Sequence, residues 1–247
     1  MVNQEDQADP THTRLSGDEL VSLQAYAARA TWPTGFQIYE RGTVADGVFV
    51  VMHGSVILRS RVRSGRGFVP WIATAGETFG AEGLSLQGVY ATDARADMET
   101  ETLFLSSTKL RAFVREQPAH TLALVGQIMN ERTILLEKLR EITTLSVEQR
   151  IIAALQRIAA HESFLDPAGR IELCSSRYRL LCELVGATRE SVSLVLGRLA
   201  GEGLVERVGS TLYITPSRHL FDRLGVGEHL LSVSGLVDGA RVEAAIR

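Results

Sequence analysis

The segment Gly186-Ala187-Thr188-Arg189-Glu190-Ser191-Val192 carries the densest chemistry in the chain. Gly186 takes a positive φ at low cost, so the backbone can turn sharply there. Thr188 has the hydroxyl of a good helix N-cap, and the same hydroxyl can reach a phosphate. Arg189 and Glu190 then stand in the first turn of a new helix. A guanidinium fork matches the O6 and N7 acceptors of guanine, and a carboxylate accepts from the cytosine amino group. Ser191 and Ser193 are short enough to let that helix approach a surface closely. The chemistry on offer is base-edge recognition in a major groove. An ordinary helical hairpin with an Arg–Glu surface pair is the plain alternative, and it leaves the flanking sequence unexplained.

The flanks are what such a helix needs. Tyr178, Leu180, Leu181, Leu184 and Val185 give a first helix one apolar face, and Val192, Val195, Leu196 and Leu199 do the same for the second. Gly201 and Gly203 end it. Leu204–Arg207 and Thr211–Ile214 alternate like strands around Gly209-Ser210, and Ile171–Cys174 adds a short strand ahead. Helix, turn, helix and a two-stranded wing are the expected layout. Over 170–218 seven arginines oppose five glutamates, a mildly basic stretch in a chain of net charge −3. Arg198 and the wing residue Ser210 complete the candidate DNA-contacting set on these elements.

Upstream, Val125, Met129, Arg132, Leu136, Leu139 and Thr143 step by four and three residues. Leu124, Ile128, Leu135 and Ile142 form a second stripe beside them. A helix of about 27 residues, roughly 40 Å long, with two stripes has two surfaces to bury. One suits its own β domain and the first suits a second copy, so those six residues are the expected dimer interface. A shorter amphipathic helix follows on Val147, Ile151, Ile152, Leu155 and Ile158.

From Phe36 to Ser106 short apolar runs (Val48–Met52, Val56–Leu58, Val69–Ile72, Leu103–Leu105) alternate with glycines, which argues a sandwich, barrel or roll. Arg59, Arg61, Arg63 and Arg66 surround Ser64-Gly65 and read as a solvated hairpin tip. Before the roll, Leu20, Leu23 and Ala27 predict a short helix that ends ahead of Trp32-Pro33.

Composition bounds the rest. With 45% hydrophobic and 22% charged residues in 247, the chain is globular and long enough for two small domains. No apolar run approaches the ~18 residues of a membrane span, and the acidic, polar start does not look like a secretory signal, so the chain reads as cytoplasmic. Cys174 and Cys182 read as packing residues. Of the 26 basic residues only Lys109 and Lys138 are lysines, a bias that suits bidentate phosphate or base contacts.

The recognition segment, together with His53-Gly54-Ser55-Val56, Gly76-Glu77-Thr78-Phe79-Gly80 and Leu145-Ser146-Val147-Glu148-Gln149-Arg150, resembles the superfamily of the cyclic-AMP receptor protein and the fumarate–nitrate regulator over about residues 18–216. The resemblance implies an α+β chain: a cyclic-nucleotide-binding-type β-roll over 15–116, a dimerisation helix over 117–144, and a winged helix-turn-helix over 145–216. Residues 217–247 form an extension rich in leucine and glycine. It further implies a homodimer on a two-fold symmetric duplex, with RNA polymerase a further candidate partner. Arg189 and Glu190 match the family's base-reading pair, Arg177 and Arg179 fall near phosphate-contacting positions, and Leu194 stands where a third base contact is usually Arg.

The implied ligand pocket departs from the family pattern. Its cassette runs Gly80-Ala81-Glu82-Gly83 to Ala91-Thr92. Thr92 matches the hydroxyl that meets the phosphate, but the Arg position holds Ala91. The ribose-binding Glu falls at Ala81, or at Glu82 if the register shifts by one, and the adenine positions on the long helix read Leu135-Leu136. Cyclic AMP is thus a cofactor candidate with its charged phosphate partner missing. A more apolar effector, haem or no effector are the alternatives, with His12 and His53 read as surface residues. No metal spacing is evident, and an iron–sulfur cluster lacks its N-terminal cysteines. A ligand-binding or catalytic protein without DNA function is the other class, and no nucleophile-elbow or phosphate-loop motif supports it.

Overall fold

The computed structural model describes residues 14–61, 67–85, 87–159 and 164–224. Helix α1 (Gly17–Gln24) opens on a capping box: the Ser16 hydroxyl accepts from the Glu19 N–H, and the Glu19 carboxylate accepts from the Ser16 N–H. It ends earlier than the sequence suggests. Ala28–Trp32 is a strand, β1, because its backbone pairs in full register with β9 (Thr100–Ser106), a ladder no local periodicity reveals.

Two antiparallel sheets form the roll. One runs β1–β9–β3–β7, with β3 at Gly47–His53 and β7 at Thr78–Phe79. The other runs β2–β8–β4–β5, from Gln37–Tyr39, Asp93–Ala96, Ser55–Arg61 and Gly67–Phe68, and β6 (Ile72–Thr74) also pairs with β4. The run Val69–Ile72 is therefore not one strand; Pro70 has no N–H for a ladder. Gly47–Val51 is buried throughout because β3 serves two cores. Phe49 and Val51 meet Val56, Leu58 and Phe79 between the sheets. Val48 and Val50 meet Leu103, Leu105, Phe113 and Leu124 under the helices.

Helix α2 (Ser107–Glu116) leads to α3 (Pro118–Thr144), whose proline sits in the first turn, where a missing N–H costs nothing. Leu124 is buried against the outer core and Ile134 packs on the inner one. The second stripe holds only in its upper half. Leu135 and Ile142 are exposed, and Glu131, Lys138 and Glu141 turn inward in their place, as Gln127 does higher up. A seven-residue repeat drifts about 20° per heptad on a straight helix, so the stripe rotates off the core. The inward charges find partners instead. Arg157 grips both carboxylate oxygens of Glu141, and Lys138 Nζ lies 3.0 Å from Glu141 Oε2.

The C-terminal domain packs α4 (Val147–Ala159), α5 (Ser175–Val185) and α6 (Arg189–Gly201) on a three-stranded sheet. Its order is β10 (Ile171–Leu173), β12 (Thr211–Ile214), β11 (Val205–Val208). Ile151, Leu155, Leu181, Val185, Val192 and Leu196 are core residues there, and α7 (Arg218–Phe221) closes it with Leu220 and Phe221. This core continues into the roll through Ile57, Val69 and Ile72. The tip arginines Arg63 and Arg66, His12, and the apolar tail residues from Leu230 to Ile246 lie outside the described residues.

Candidate nucleic-acid interface

Gly186 ends α5 in the left-handed region, at φ +65°. The Ala187 N–H then donates to the Cys182 carbonyl at 3.2 Å, and Arg150 Nη1 donates to the Val185 carbonyl at 2.9 Å. These bonds satisfy carbonyls that a helix end leaves open. Thr188 caps α6: its Oγ1 accepts from the Ser191 N–H at 3.3 Å. The cap fixes where α6 starts, and so points Arg189 and Glu190 outward; both are exposed. Burial of Val192, Val195, Leu196 and Leu199 sets the opposite face.

Two contacts steady the reading end. The Tyr178 hydroxyl donates to the Arg189 carbonyl at 3.2 Å, and the Arg189 guanidinium lies 5.5 Å from the Tyr178 ring centroid. Hydrogen bonds from the Glu190 N–H and from Thr188 hold the Glu190 carboxyl below its ordinary range, so it is an acceptor at neutral pH. Arg189, Glu190 and Ser193 of α6, Tyr178 of α5, and Arg207 and Ser210 of the wing line one groove of about 390 Å³.

The other candidates lie elsewhere. Arg198 is not part of this groove's lining and pairs with Glu148 at 2.8 Å. Arg177 and Arg179 line a separate cavity between α5 and the roll. Leu194 stands 70% exposed on α6. Arg207 was not among the sequence candidates; its signal was its place on a wing strand two residues before Gly209. Cys174 is half-buried and Cys182 buried, where desolvation pushes the Cys182 thiol up to about 11.

On the sensor side the structure brings Gly80, Glu82, Ala91 and Thr92 around a pair of tyrosines. The Tyr39 and Tyr90 rings stack at 3.6 Å, and a Cβ on Gly80 would meet both. The 3₁₀ turn Ala81–Leu84 places Glu82 so that its Oε1 accepts from the Ala91 N–H at 3.0 Å. Ala81 itself packs toward the outer core, and Gly83 presses on the Gly47 backbone. Glu131, which the sequence reading passed over, accepts from the Thr78 hydroxyl at 2.7 Å. Burial, with Glu82 and Glu77 nearby, pushes the Glu131 carboxyl up to about 7. Leu135 and Leu136 do not enter this protomer's roll; both are exposed on α3, and Ile134 takes the inward place. Among the described residues no group of three or more His, Cys, Asp or Glu side chains could hold a metal ion, and no helix is long and apolar enough to cross a membrane.

Comparison with known proteins gives the same division. Residues 30–117 match the cyclic nucleotide-binding domain family, and residues 149–220 match the Crp-like helix-turn-helix domain. The cyclic AMP receptor protein of Thermus thermophilus is 30% identical over 199 residues, covering 79% of this chain and 88% of that protein. The cAMP-activated global transcriptional regulator CRP of Salmonella typhimurium is 22% identical over 188 residues, covering 76% and 89%. Among solved structures, the c-di-GMP responsive global regulator CLP of Xanthomonas campestris superposes with a TM-score of 0.69 at 22% identity, covering 81% of this chain and 99% of that one. A CRP/FNR-family transcriptional regulator of Thermus thermophilus gives 0.69 at 19% identity, with the same coverage.

A cyclic-nucleotide-binding-type roll, a long helix and a winged helix-turn-helix with its reading end exposed define a DNA-binding transcription regulator. The chain belongs to the CRP/FNR superfamily.

Proposed function

We propose that this regulator acts as a homodimer on a two-fold symmetric duplex site, reads it with the first turn of α6, and is controlled through its roll. The observation that carries the reading is the groove in which Arg189, Glu190, Ser193, Arg207 and Ser210 face solvent together at a capped helix end. A short capped helix with a guanidinium and an ionised carboxylate at its tip suits a G·C step in the major groove. Dimerisation is supported by α3: Val125, Met129, Leu136 and Leu139 are 46–59% exposed along one face that also carries Arg132 and Thr143. A contiguous exposed apolar stripe of this length needs a cover in water. Duplexes selected from a random pool test the reading, and should return an inverted repeat whose G·C step disappears with Arg189→Ala.

A second reading concerns the effector. The relatives named above are a cyclic AMP receptor and a cAMP-activated regulator. Here Ala91 stands where the family pattern has Arg, and the Glu82 carboxylate already occupies the Ala91 N–H. An anionic phosphate meets repulsion there, and the loss of a charged partner costs about 2–5 kcal/mol, tens- to thousands-fold in affinity. The sensor therefore responds to a ligand other than cyclic AMP, or to none. Calorimetry with cyclic AMP and cyclic GMP should find no tight binding; a submicromolar dissociation constant for either would overturn this reading.

A further inference from the structure

Helix α6 presents more than its first turn to solvent. With Val192, Val195, Leu196 and Leu199 buried, its outward ridge runs Glu190, Leu194, Gly197, Gly201, in steps of four, three and four. Leu194 is the bulky apolar side chain on that ridge and is 70% exposed. It follows Ser193, which lines the groove with Arg189 and Glu190. In helix geometry Glu190 and Leu194 stand about 40° apart around the axis and about 6 Å apart along it, so a surface that meets one meets the other.

A single exposed leucine needs no explanation on a protein surface. The neighbours of this one do. A Cβ added at Gly197 or Gly201 meets no atom within 4 Å, so the protomer's own packing leaves room for alanine at both. Glycine weakens a helix relative to alanine, and what it supplies instead is a bare backbone that another surface can approach closely. Arg198, four residues on from Leu194, is tied to Glu148 at 2.8 Å. Leu194 thus stands proud of a low ridge, one turn beyond a carboxylate that is ionised at neutral pH.

Leucine has no donor or acceptor, so it cannot read a hydrogen-bonding pattern. Pressed on an amino or carbonyl edge it would strip water from a polar group and leave that group unpaired, which lowers affinity. The one apolar group on the base edges of a major groove is the C5-methyl of thymine. We propose that Leu194 is a specificity-determining residue of this regulator: it packs on a thymine methyl within two base pairs of the pair that Glu190 contacts, and selects thymine there against the other bases. The separation of about 6 Å from Glu190 is less than two steps of about 3.4 Å along the duplex. The proposal rests on α6 being the reading helix, and it adds a base to the half-site beyond the G·C pair of Arg189.

The test exchanges thymine for deoxyuridine, which keeps the base pair and removes only the methyl. The full-length protein selects its duplex from a random pool. Each thymine of the half-site is then exchanged in turn, and binding is measured by fluorescence anisotropy. One exchange should weaken wild-type binding about fourfold per half-site, the effect of burying one methyl group. Leu194→Ala should bind the thymine and deoxyuridine duplexes alike, while Val44→Ala, on an exposed residue of the roll, should keep the wild-type ratio. Leu194 is exposed, so its truncation should leave the fold intact, which circular dichroism verifies. A selected repeat that depends on Arg189 but tolerates every exchange, or that has no thymine within reach, overturns the proposal and leaves the reading of α6 standing. A wild-type ratio that persists in Leu194→Ala does the same. A wild type that prefers no sequence overturns both.

Discussion

Arg189 and Arg207 face the same groove but are held by different means. Arg189 rides on a capped helix end, braced over the Tyr178 ring. Arg207 projects from an exposed position on the wing. A base-reading role needs a rigid mount, and a phosphate contact needs only reach and charge. Arg207→Ala should therefore weaken binding about equally on all duplexes and lower the slope of log affinity against log salt by about 1. A loss confined to one base position would instead make Arg207 a reader. At this scale the sequence was most informative where local chemistry is self-contained. Gly186, Thr188 and Arg189 act within a few residues of one another, so spacing alone placed them. Arg177, Arg179 and Arg198 were harder, because Glu148, Glu172 and the roll that receive them are distant or on other elements.

Among the elements, α3 does the most with the least regular pattern. Its outward face from Val125 to Thr143 follows the spacing of a two-helix seam, and the periodicity showed it. Leu136→Glu puts a charge in the middle of that face without touching the protomer's core. It should shift the protein to monomers in sedimentation equilibrium with an unchanged circular dichroism spectrum; a dimer that persists would move the interface off α3. The inward face was not legible, since the partner that makes Glu131 tolerable is Thr78, 53 positions away in sequence. Burial raises the Glu131 carboxyl from 4.5 to about 7, so the folded protein holds this proton more tightly than the unfolded chain. Its contribution to stability is present in full below about 4.5 and is lost as pH rises through about 7. Glu131→Gln keeps an acceptor for Thr78 and removes the titration. In urea unfolding its stability relative to wild type should rise between about pH 5 and pH 8, by roughly 3 kcal/mol at most. A difference independent of pH would mean that Glu131 titrates normally.

Across the described residues the two domains share a core rather than sit as two beads on a string. Ile57, Val69 and Ile72 of the roll pack in the same cluster as Leu180, Leu184 and Val185 of the C-terminal domain. That shared core joins the roll physically to the helices that present Arg189. The order of roll, long helix and winged helix could be read from changes of period along the chain: glycine-spaced short runs, then steps of three and four, then helix, turn and wing. How the halves meet could not. It rests on Glu183 reaching Arg59 and the Val69 amide, contacts between residues more than a hundred positions apart.

Selection of bound duplexes from a random pool, with the wild type and with Arg189→Ala in parallel, tests the central claim most directly. Two copies joined through α3 should enrich an inverted repeat whose half-sites lie one or more helical turns apart, about 10–10.5 base pairs each. Arg189→Ala should erase the preference at one G·C pair per half-site, worth about 1–3 kcal/mol, while the rest of the repeat remains. An unchanged repeat from the variant, or no repeat from the wild type, would contradict the assignment of α6 as the reading helix of a dimer.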